Sequence, residues 1–358
     1  MLRVRGGIWG ALVAAAFVAM AAAQTPRGPF SVGPVTAEPG KKVSGMIPVP
    51  AGKDEATEIP VTIVHGANPG PVLALVAGNH GYEYTPILAL QRMRTRLNAA
   101  QLSGTVVLVH VANMPSFLKR TIYYSPVDGK NLNRVYPGKA DGTVSERIAL
   151  QITREVIERA DYVMDLHCGD GNEDLGYYTY WDTKAGGAEV VEKSKQMALA
   201  FGFDHIVMDG GRPSDPANSL YCSTTATTRG KPAITIESGG LGTTDNESIA
   251  KIERGLMSML RHLKMIEGRP QYVQAPLFID QNVVLTSEAT GIFYPLVERH
   301  RTVAKGTPLG YVTDFFGKRL FELRAPFSGT VLYVVATPPV SKGEPLAMIG
   351  HIAEKAEK

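Results

Sequence analysis

The 358-residue chain reads as an α/β protein with a largely parallel sheet covered by helices, followed by a small all-β domain. Three observations lead there. Apolar runs of strand length alternate with helical stretches, as a parallel sheet requires of its connections. Three of those runs end on residues able to hold a metal: 71–77 leads into Gly78-Asn79-His80-Gly81-Tyr82-Glu83, 162–166 into His167, and 232–236 into Glu237-Ser238-Gly239-Gly240. Open α/β sheets place ligands just beyond the carboxyl ends of their strands. Beyond Pro270 the helical pattern gives way to short β-like runs separated by Gly and Pro.

The amino terminus carries Arg3 and Arg5, an apolar stretch over 8–20, and Ala21-Ala22-Ala23 before Gln24. These are the parts of a secretory signal peptide. The rival reading is an uncleaved anchor, but the stretch is short for a span, which needs about 20 residues. Cleavage after Ala23 is therefore expected, leaving a soluble, exported protein, periplasmic or secreted, without a stable membrane anchor. No cysteine follows the cleavage site, which argues against a lipoprotein. The remaining 335 residues exceed what one hydrophobic core usually serves. Two domains are expected, 24–270 and 271–358. Loss of Arg3 and Arg5 takes the formal charge from +3 to +1, so composition gives no case for nucleic acid or an anionic membrane as partner. Cys168 and Cys222 could pair in an oxidising compartment, but spacing does not settle it, and an oligomer is equally left open.

Along the chain, 24–45 reads as a loose arm or edge hairpin. Strands are expected over 58–64 and 72–77, broken by the turn signal Asn68-Pro69-Gly70-Pro71, and over 105–111. A helix is expected over 88–97. Thr143-x-x-Glu146 is a capping-box start, and Ile148, Ile152 and Val156 then recur on one helical face. The last helix is expected over about 247–263, with Ile249, Ile252, Leu256, Met259 and Leu263 at spacings of three and four. The tail shows β-like runs at 282–285, 291–294, 308–312, 320–323, 329–335 and 345–349.

His80-x-x-Glu83 places an imidazole and a carboxylate one helical turn apart, within reach of one cation. Alone the pair is a weak signal, as readily an incidental ion pair on a surface turn. Gly78 and Gly81 strengthen it by letting the backbone turn sharply near a ligand. His167 supplies a third ligand, with Asp165 available to orient its ring; in isolation it would read as a strand-end histidine bonded to a carbonyl. Catalytic zinc commonly takes two histidines and a glutamate and keeps a position for water. Glu237, at the end of an apolar strand, is the candidate general base, or else a salt-bridged strand-end carboxylate. In the loop Asp128-Gly129-Lys130-Asn131-Leu132-Asn133-Arg134, Asn133 and Arg134 suit a substrate carboxylate, which a guanidinium binds bidentately. Alone, Arg134 reads rather as a loop arginine in solvent.

Taken together, these residues resemble the succinylglutamate desuccinylase/aspartoacylase family, relatives of the zinc carboxypeptidases. The likeness runs from about Pro71 to Gly242 through Gly-x-His-Gly-x-Glu, Asp-Gly-x-x-Leu-Asn-Arg-x-x-Pro-Gly, Asp-Leu-His and Glu-x-Gly-Gly. It implies a carboxypeptidase-like α/β sandwich with a mixed central sheet flanked by helices. It further implies one zinc ion on His80, Glu83 and His167, Glu237 as base, and Asn133 and Arg134 on the substrate carboxylate. Relatives often carry an arginine directly ahead of an aromatic residue before the Asp-Gly segment. Here Ile122 stands there, before Tyr123, and Arg120 lies two residues earlier as a candidate carboxylate or oxyanion ligand. The tail segments 325–331 and 340–346 are similar to biotinyl/lipoyl-type barrels without a lysine to modify, and read as a lid or packing module. The function implied is hydrolysis of the amide of an N-acyl amino acid or similar small carboxylate-bearing molecule. The alternatives are an exported zinc carboxypeptidase acting on peptides, including cell-wall peptides, and a non-catalytic binding protein on the same fold.

Overall fold

The computed structural model describes residues 27–354, so the expected signal segment lies outside the described residues. The chain opens with a small hairpin, β1 (Phe30–Val32) and β2 (Val35–Ala37), then runs through β3 (Lys41–Val49), β4 (Thr57–His65), β5 (Asn68–Ala77), α1 (Tyr84–Arg96), β6 (Ser103–Val109) and α2 (Met114–Lys119). Next come α3 (Val144–Ile152), β7 (Tyr162–His167), β8 (Glu173–Leu175), β9 (Tyr177–Asp182), α4 (Ala188–Phe201), β10 (His205–Asp209), α5 (Cys222–Thr227), β11 (Ala233–Ser238) and α6 (Asn246–His262). The tail holds β12 (Leu277–Thr286), β13 (Gly291–Pro295), β14 (Thr302–Val303), β15 (Pro308–Thr313), β16 (Arg319–Arg324), β17 (Gly329–Val335), β18 (Pro339–Val340) and β19 (Pro345–Ile352).

The central sheet is mixed, as the resemblance implies, rather than largely parallel as the alternation of elements alone suggests. β6, β5, β7 and β11 run parallel, but β9 lies antiparallel to β11, and β4 and β3 close the other side antiparallel. Both faces of the parallel strands are buried, which explains their unbroken apolar sequences. Leu73, Leu75, Met164, Leu166, Ile234 and Ile236 share one core with α1, α4 and α6. Ala74, Val76, Val163 and Ala233 share the other with α3 and α5. Side chains alternate along a strand, so Asp165 and His167 of β7 lie on the second face, level with Thr235 and Glu237 of β11.

Local signals place the elements. The chain turns at Gly66-Ala67, earlier than the Asn68-Pro69-Gly70-Pro71 signal implies, and β5 begins at Asn68 with an irregular register up to Val72. Gly70 serves close approach there: a Cβ on it would crowd the Gly104 backbone. α3 starts on its expected capping box, with the Thr143 N–H donating to Glu146 Oε2 at 2.9 Å, and continues as a π turn over Thr153–Ile157 that keeps Val156 buried beside Ile148 and Ile152. α6 is capped by Asp245, whose side chain accepts the Ser248 N–H.

The composition changes where α6 ends, but the sheet runs on across that point. β12 pairs parallel with β10 and antiparallel with β19, and β17 joins β19 to the short β8. A second sheet, in the order β16-β15-β13-β18, closes a core over Phe293, Leu309, Val312, Val331 and Ile349. Cys168 and Cys222 are separate buried thiols. Among the described residues no helix is long and apolar enough to cross a membrane.

Candidate metal centre and active site

The site is built around Glu83, which is 3% exposed and serves as the amino-terminal cap residue of α1. His80 and Glu83 thus sit in a turn leading into the helix, not on the helix itself. A buried carboxylate must be paired. Its Oε1 lies 2.6 Å from His80 Nδ1 and its Oε2 2.8 Å from His167 Nδ1. Each ring is gripped from behind through Nε2: His80 by Asn131 Oδ1 at 3.0 Å, His167 by Asp165 Oδ1 at 2.9 Å. Asn131 Oδ1 also accepts the Asn133 N–H at 2.9 Å, which fixes its oxygen toward His80. Each ring thus meets an acceptor at both nitrogens, and Glu83 is the nearer one. Two imidazole nitrogens converging on one carboxylate call for positive charge between them, supplied by ring protons or by a cation.

The surrounding field says the same. Burial pushes the Glu83 carboxyl up, but His167 and His80 outweigh it and bring it to about 2. Burial works against a charged His80 and His167, yet Glu83 for the first, and Asp165 with Glu83 for the second, raise both above the ordinary imidazole range. Asp170 is raised to about 6 and Glu173 to about 7, chiefly by burial. One ligand atom from each of His80, Glu83 and His167 falls within 4.8 Å of the others. Two imidazoles, a carboxylate and further buried acids fit a divalent cation, and the nitrogen/oxygen donor set is one that zinc takes.

Glu237 lies opposite His167 on one side and Tyr178 on the other. Burial raises its carboxyl well above the ordinary range, against the pull of His167, and its Oε2 is buried without a hydrogen-bond partner among the described residues. A carboxyl oxygen without a partner beside His167 is suited to proton transfer.

The remaining expected residues separate. Asn133 is 5% exposed and turns inward. Its amide nitrogen lies 3.1 Å from Asp165 Oδ2 and 3.1 Å from His167 Nε2, and its oxygen accepts the Cys222 N–H at 2.8 Å. These contacts differ from the carboxylate binding expected of it; Asn133 braces the histidine. Arg134 is exposed, donates to the Asn133 carbonyl at 2.7 Å, and lies 4.6 Å over the Tyr221 ring. Arg212 lies over the same ring at 4.0 Å. Arg120 caps α2 in a left-handed conformation, exposed, and its side chain makes no hydrogen bond or ion pair among the described residues. The structure instead brings Tyr123 to the centre, its ring edge-on to His80 at 6.1 Å.

Besides Asn131, two supporting residues were not expected. Asn79 donates to Asp165 Oδ1 at 2.7 Å and accepts from the Tyr136 hydroxyl at 2.8 Å. A polar residue ending an apolar strand, directly before His80, was the available signal for Asn79. Tyr136 carried none, since an aromatic residue in a loop reads equally well as packing.

Residues 69–263, more than half of the chain, match the model of the succinylglutamate desuccinylase/aspartoacylase catalytic domain. The chain is 33% identical over 322 residues to N-alpha-acetyl-L-2,4-diaminobutyric acid deacetylase of Halomonas elongata, covering 87% of this chain and 92% of that one. The fold is also similar to the product-bound ectoine utilization protein EutE (DoeB) from Ruegeria pomeroyi, with a TM-score of 0.78 and 26% identity over 88% of this chain and 98% of that one. An aspartoacylase family protein from Mesorhizobium loti matches with a TM-score of 0.75 and 26% identity, over 92% and 100% of the two chains. The chain is thus a hydrolase and belongs to the succinylglutamate desuccinylase/aspartoacylase family.

Proposed function

We propose that the protein is an exported, zinc-dependent deacylase that hydrolyses the amide of a small N-acyl amino acid. The observation that carries this reading is the convergence of the His80 and His167 Nδ1 atoms on the Glu83 carboxylate, with both Nε2 atoms held from behind. Zinc on these three residues would supply a Lewis acid beside the scissile carbonyl and an acidified water at neutral pH. Glu237 accepts the proton of the attacking water on its free Oε2 and returns it to the amine nitrogen as the C–N bond breaks. One water is consumed, and a carboxylic acid and an amine leave.

Arg134 binds the carboxylate of the amino acid. Its exposed guanidinium, steadied by the Asn133 carbonyl and the Tyr221 ring, faces outward from the loop that braces His167. The tail supplies a wall: Tyr333 of β17 packs in one cluster with Tyr178, the residue opposite Glu237. That arrangement supports a cleft sized for small amides rather than long peptides. The name of the Halomonas relative supports an N-acylated α-amino acid as substrate. The basic and apolar pattern of the first 23 residues supports export.

The test is metal analysis of purified protein, followed by a hydrolysis panel of acetylated, succinylated and other acylated amino acids beside short peptides. One zinc per chain and a preference for acyl amino acids are expected, with both metal and activity lost in His80→Ala. Full activity in His80→Ala would refute the mechanism, and a preference for peptides would make the enzyme a carboxypeptidase. Sequencing the exported protein should find Gln24 first.

A further inference from the structure

The order of strands at the candidate metal site gives the two halves of a substrate different neighbours. β7, which ends on His167, lies between β5, which leads to His80, and β11, which carries Glu237. Glu237 therefore stands on one side of His167 and His80 on the other. The nitrogen that receives its proton from Glu237, with the amino-acid half behind it, belongs on the β11 side. Arg134 follows Asn133, whose oxygen accepts the Cys222 N–H at the start of α5, and α5 leads into β11. The acyl half is left the His80 side.

Two aromatic rings lead outward from that side. Tyr123 is edge-on to His80 at 6.1 Å, and Tyr124 is edge-on to Tyr123 at 6.2 Å. Consecutive side chains of an extended strand would point apart. Here the Tyr124 N–H donates to the Ile122 carbonyl at 2.6 Å and closes a three-residue turn on Tyr123, whose φ is 56°. Such a turn is rare and strained, and it brings the two rings together. It is also pinned: Asp170 Oδ2 accepts the Tyr123 N–H at 2.8 Å, and the Tyr123 hydroxyl donates to Asn172 Oδ1 at 2.9 Å. Tyr124 pairs with Asn131 across an antiparallel bridge. Directly opposed side chains rise on one face, and Asn131 turns to His80, so Tyr124 stands on the face turned to the site.

The Tyr124 side chain is 56% exposed and makes no hydrogen bond among the described residues. Ile122, on the other side of Tyr123, is also exposed. Fixed apolar surface running from a buried site to solvent suits an apolar chain. The groups behind Tyr123 are acidic: Asp170, and Glu173, which accepts the Asp170 N–H at 3.2 Å. They disfavour an acyl group that ends in a carboxylate. Arg120, exposed on the same segment, would favour one, so a charged probe belongs in the test.

We propose, resting on the deacylase reading above, that the acyl group of the substrate is apolar and longer than acetyl, and that Tyr124 is a specificity-determining residue for it. The chain leaves the metal site past Tyr123 and is covered by the Tyr124 ring.

The test is steady-state hydrolysis by the full-length, metal-loaded protein of the N-acetyl, N-butanoyl, N-hexanoyl and N-succinyl forms of one amino acid accepted in the panel above. From acetyl to hexanoyl, kcat/KM is expected to rise roughly two- to fourfold per methylene. Succinyl should fall below butanoyl, its uncharged four-carbon counterpart. Tyr124→Ala should lower the hexanoyl-to-acetyl ratio of kcat/KM by roughly tenfold. Phe316→Ala, at a 96% exposed position between β15 and β16, should leave that ratio unchanged. Equal hydrolysis of acetyl and hexanoyl forms, a preference for succinyl, or a ratio unmoved by Tyr124→Ala would each overturn this inference and leave the deacylase reading standing. A panel in which no acyl amino acid is hydrolysed would remove both.

Discussion

Asp165 holds His167 from two residues away on the same strand, Oδ1 to Nε2 at 2.9 Å. Strand alternation puts both side chains on one face, so β7 delivers a candidate metal ligand and its own brace together. The brace is itself held: Asn79 and Asn133 donate to the two oxygens of Asp165, and the Tyr136 hydroxyl fixes Asn79. A buried carboxylate with a full set of donors does not wander, which is what an imidazole ligand needs behind it.

Asp165→Asn should therefore act on metal affinity before it acts on the fold. The amide keeps the shape but loses the charge that fixes the His167 tautomer. Zinc affinity is expected to fall by roughly 10- to 100-fold, measured by competition with a chelator. The far-ultraviolet circular dichroism spectrum should match the parent. Unchanged affinity would mean that the Asp165–His167 contact does not hold the ligand.

Glu237→Gln separates proton transfer from metal binding. Glu237 makes no contact that the proposed zinc ligands depend on, so the zinc content should match the parent's. The turnover number is expected to fall by roughly 10² to 10⁴, with KM changed far less. A variant that keeps turnover within a few-fold of the parent would remove Glu237 from its role.

Much of the candidate site was legible in the sequence because its residues follow strand ends, where an apolar run leads to His80, His167 or Glu237. The bracing layer was less so. Asn131 and Asn133 were visible as loop residues, but nothing in their order says that both turn inward. The resemblance implied the mixed sheet, but the alternation of elements alone hid it for a related reason. β9 reads Tyr-Tyr-Thr-Tyr-Trp-Asp, and strand direction is set by its partners rather than by composition. The tail showed its strands but not that β12 and β19 would extend the central sheet, because hydrogen bonding across Pro270 leaves no local signature.

His110 should make stability depend on pH well away from the metal. Burial first, then Arg94, hold its imidazole at about 4, against an ordinary value of 6.5. Its Nε2 bonds Thr62 Oγ1 at 2.8 Å and its Nδ1 is buried without a partner among the described residues, both consistent with a neutral ring. Between these two values the unfolded chain binds a proton that the folded chain refuses. Stability is thus full above 6.5 and falls as pH drops toward 4. By about pH 5 the loss from this group reaches roughly 2 kcal/mol. Thermal unfolding across that window should show a shallower slope in His110→Gln than in the parent; parallel slopes would exclude His110 as the cause.

Gly81, between the proposed ligands His80 and Glu83, tests whether α2 positions the turn that carries them. Its φ is not in the left-handed region, so conformational freedom is not what glycine supplies here. The need is space: a Cβ would overlap the backbone of Ser116 and Phe117 at the start of α2. That segment cannot retreat easily, because Asn113 caps it through the Ser116 N–H and is itself tied to the Gly78 carbonyl at 2.8 Å. Gly81→Ala must then push the turn outward, drawing His80 from Asn131 and Glu83 from His167. The expected cost is about 1–3 kcal/mol of stability, read as a lowered Tm, together with at least a tenfold loss of zinc affinity. If the variant binds zinc as the parent does, α2 only packs beside the turn, and His80 is aimed by Asn131 alone.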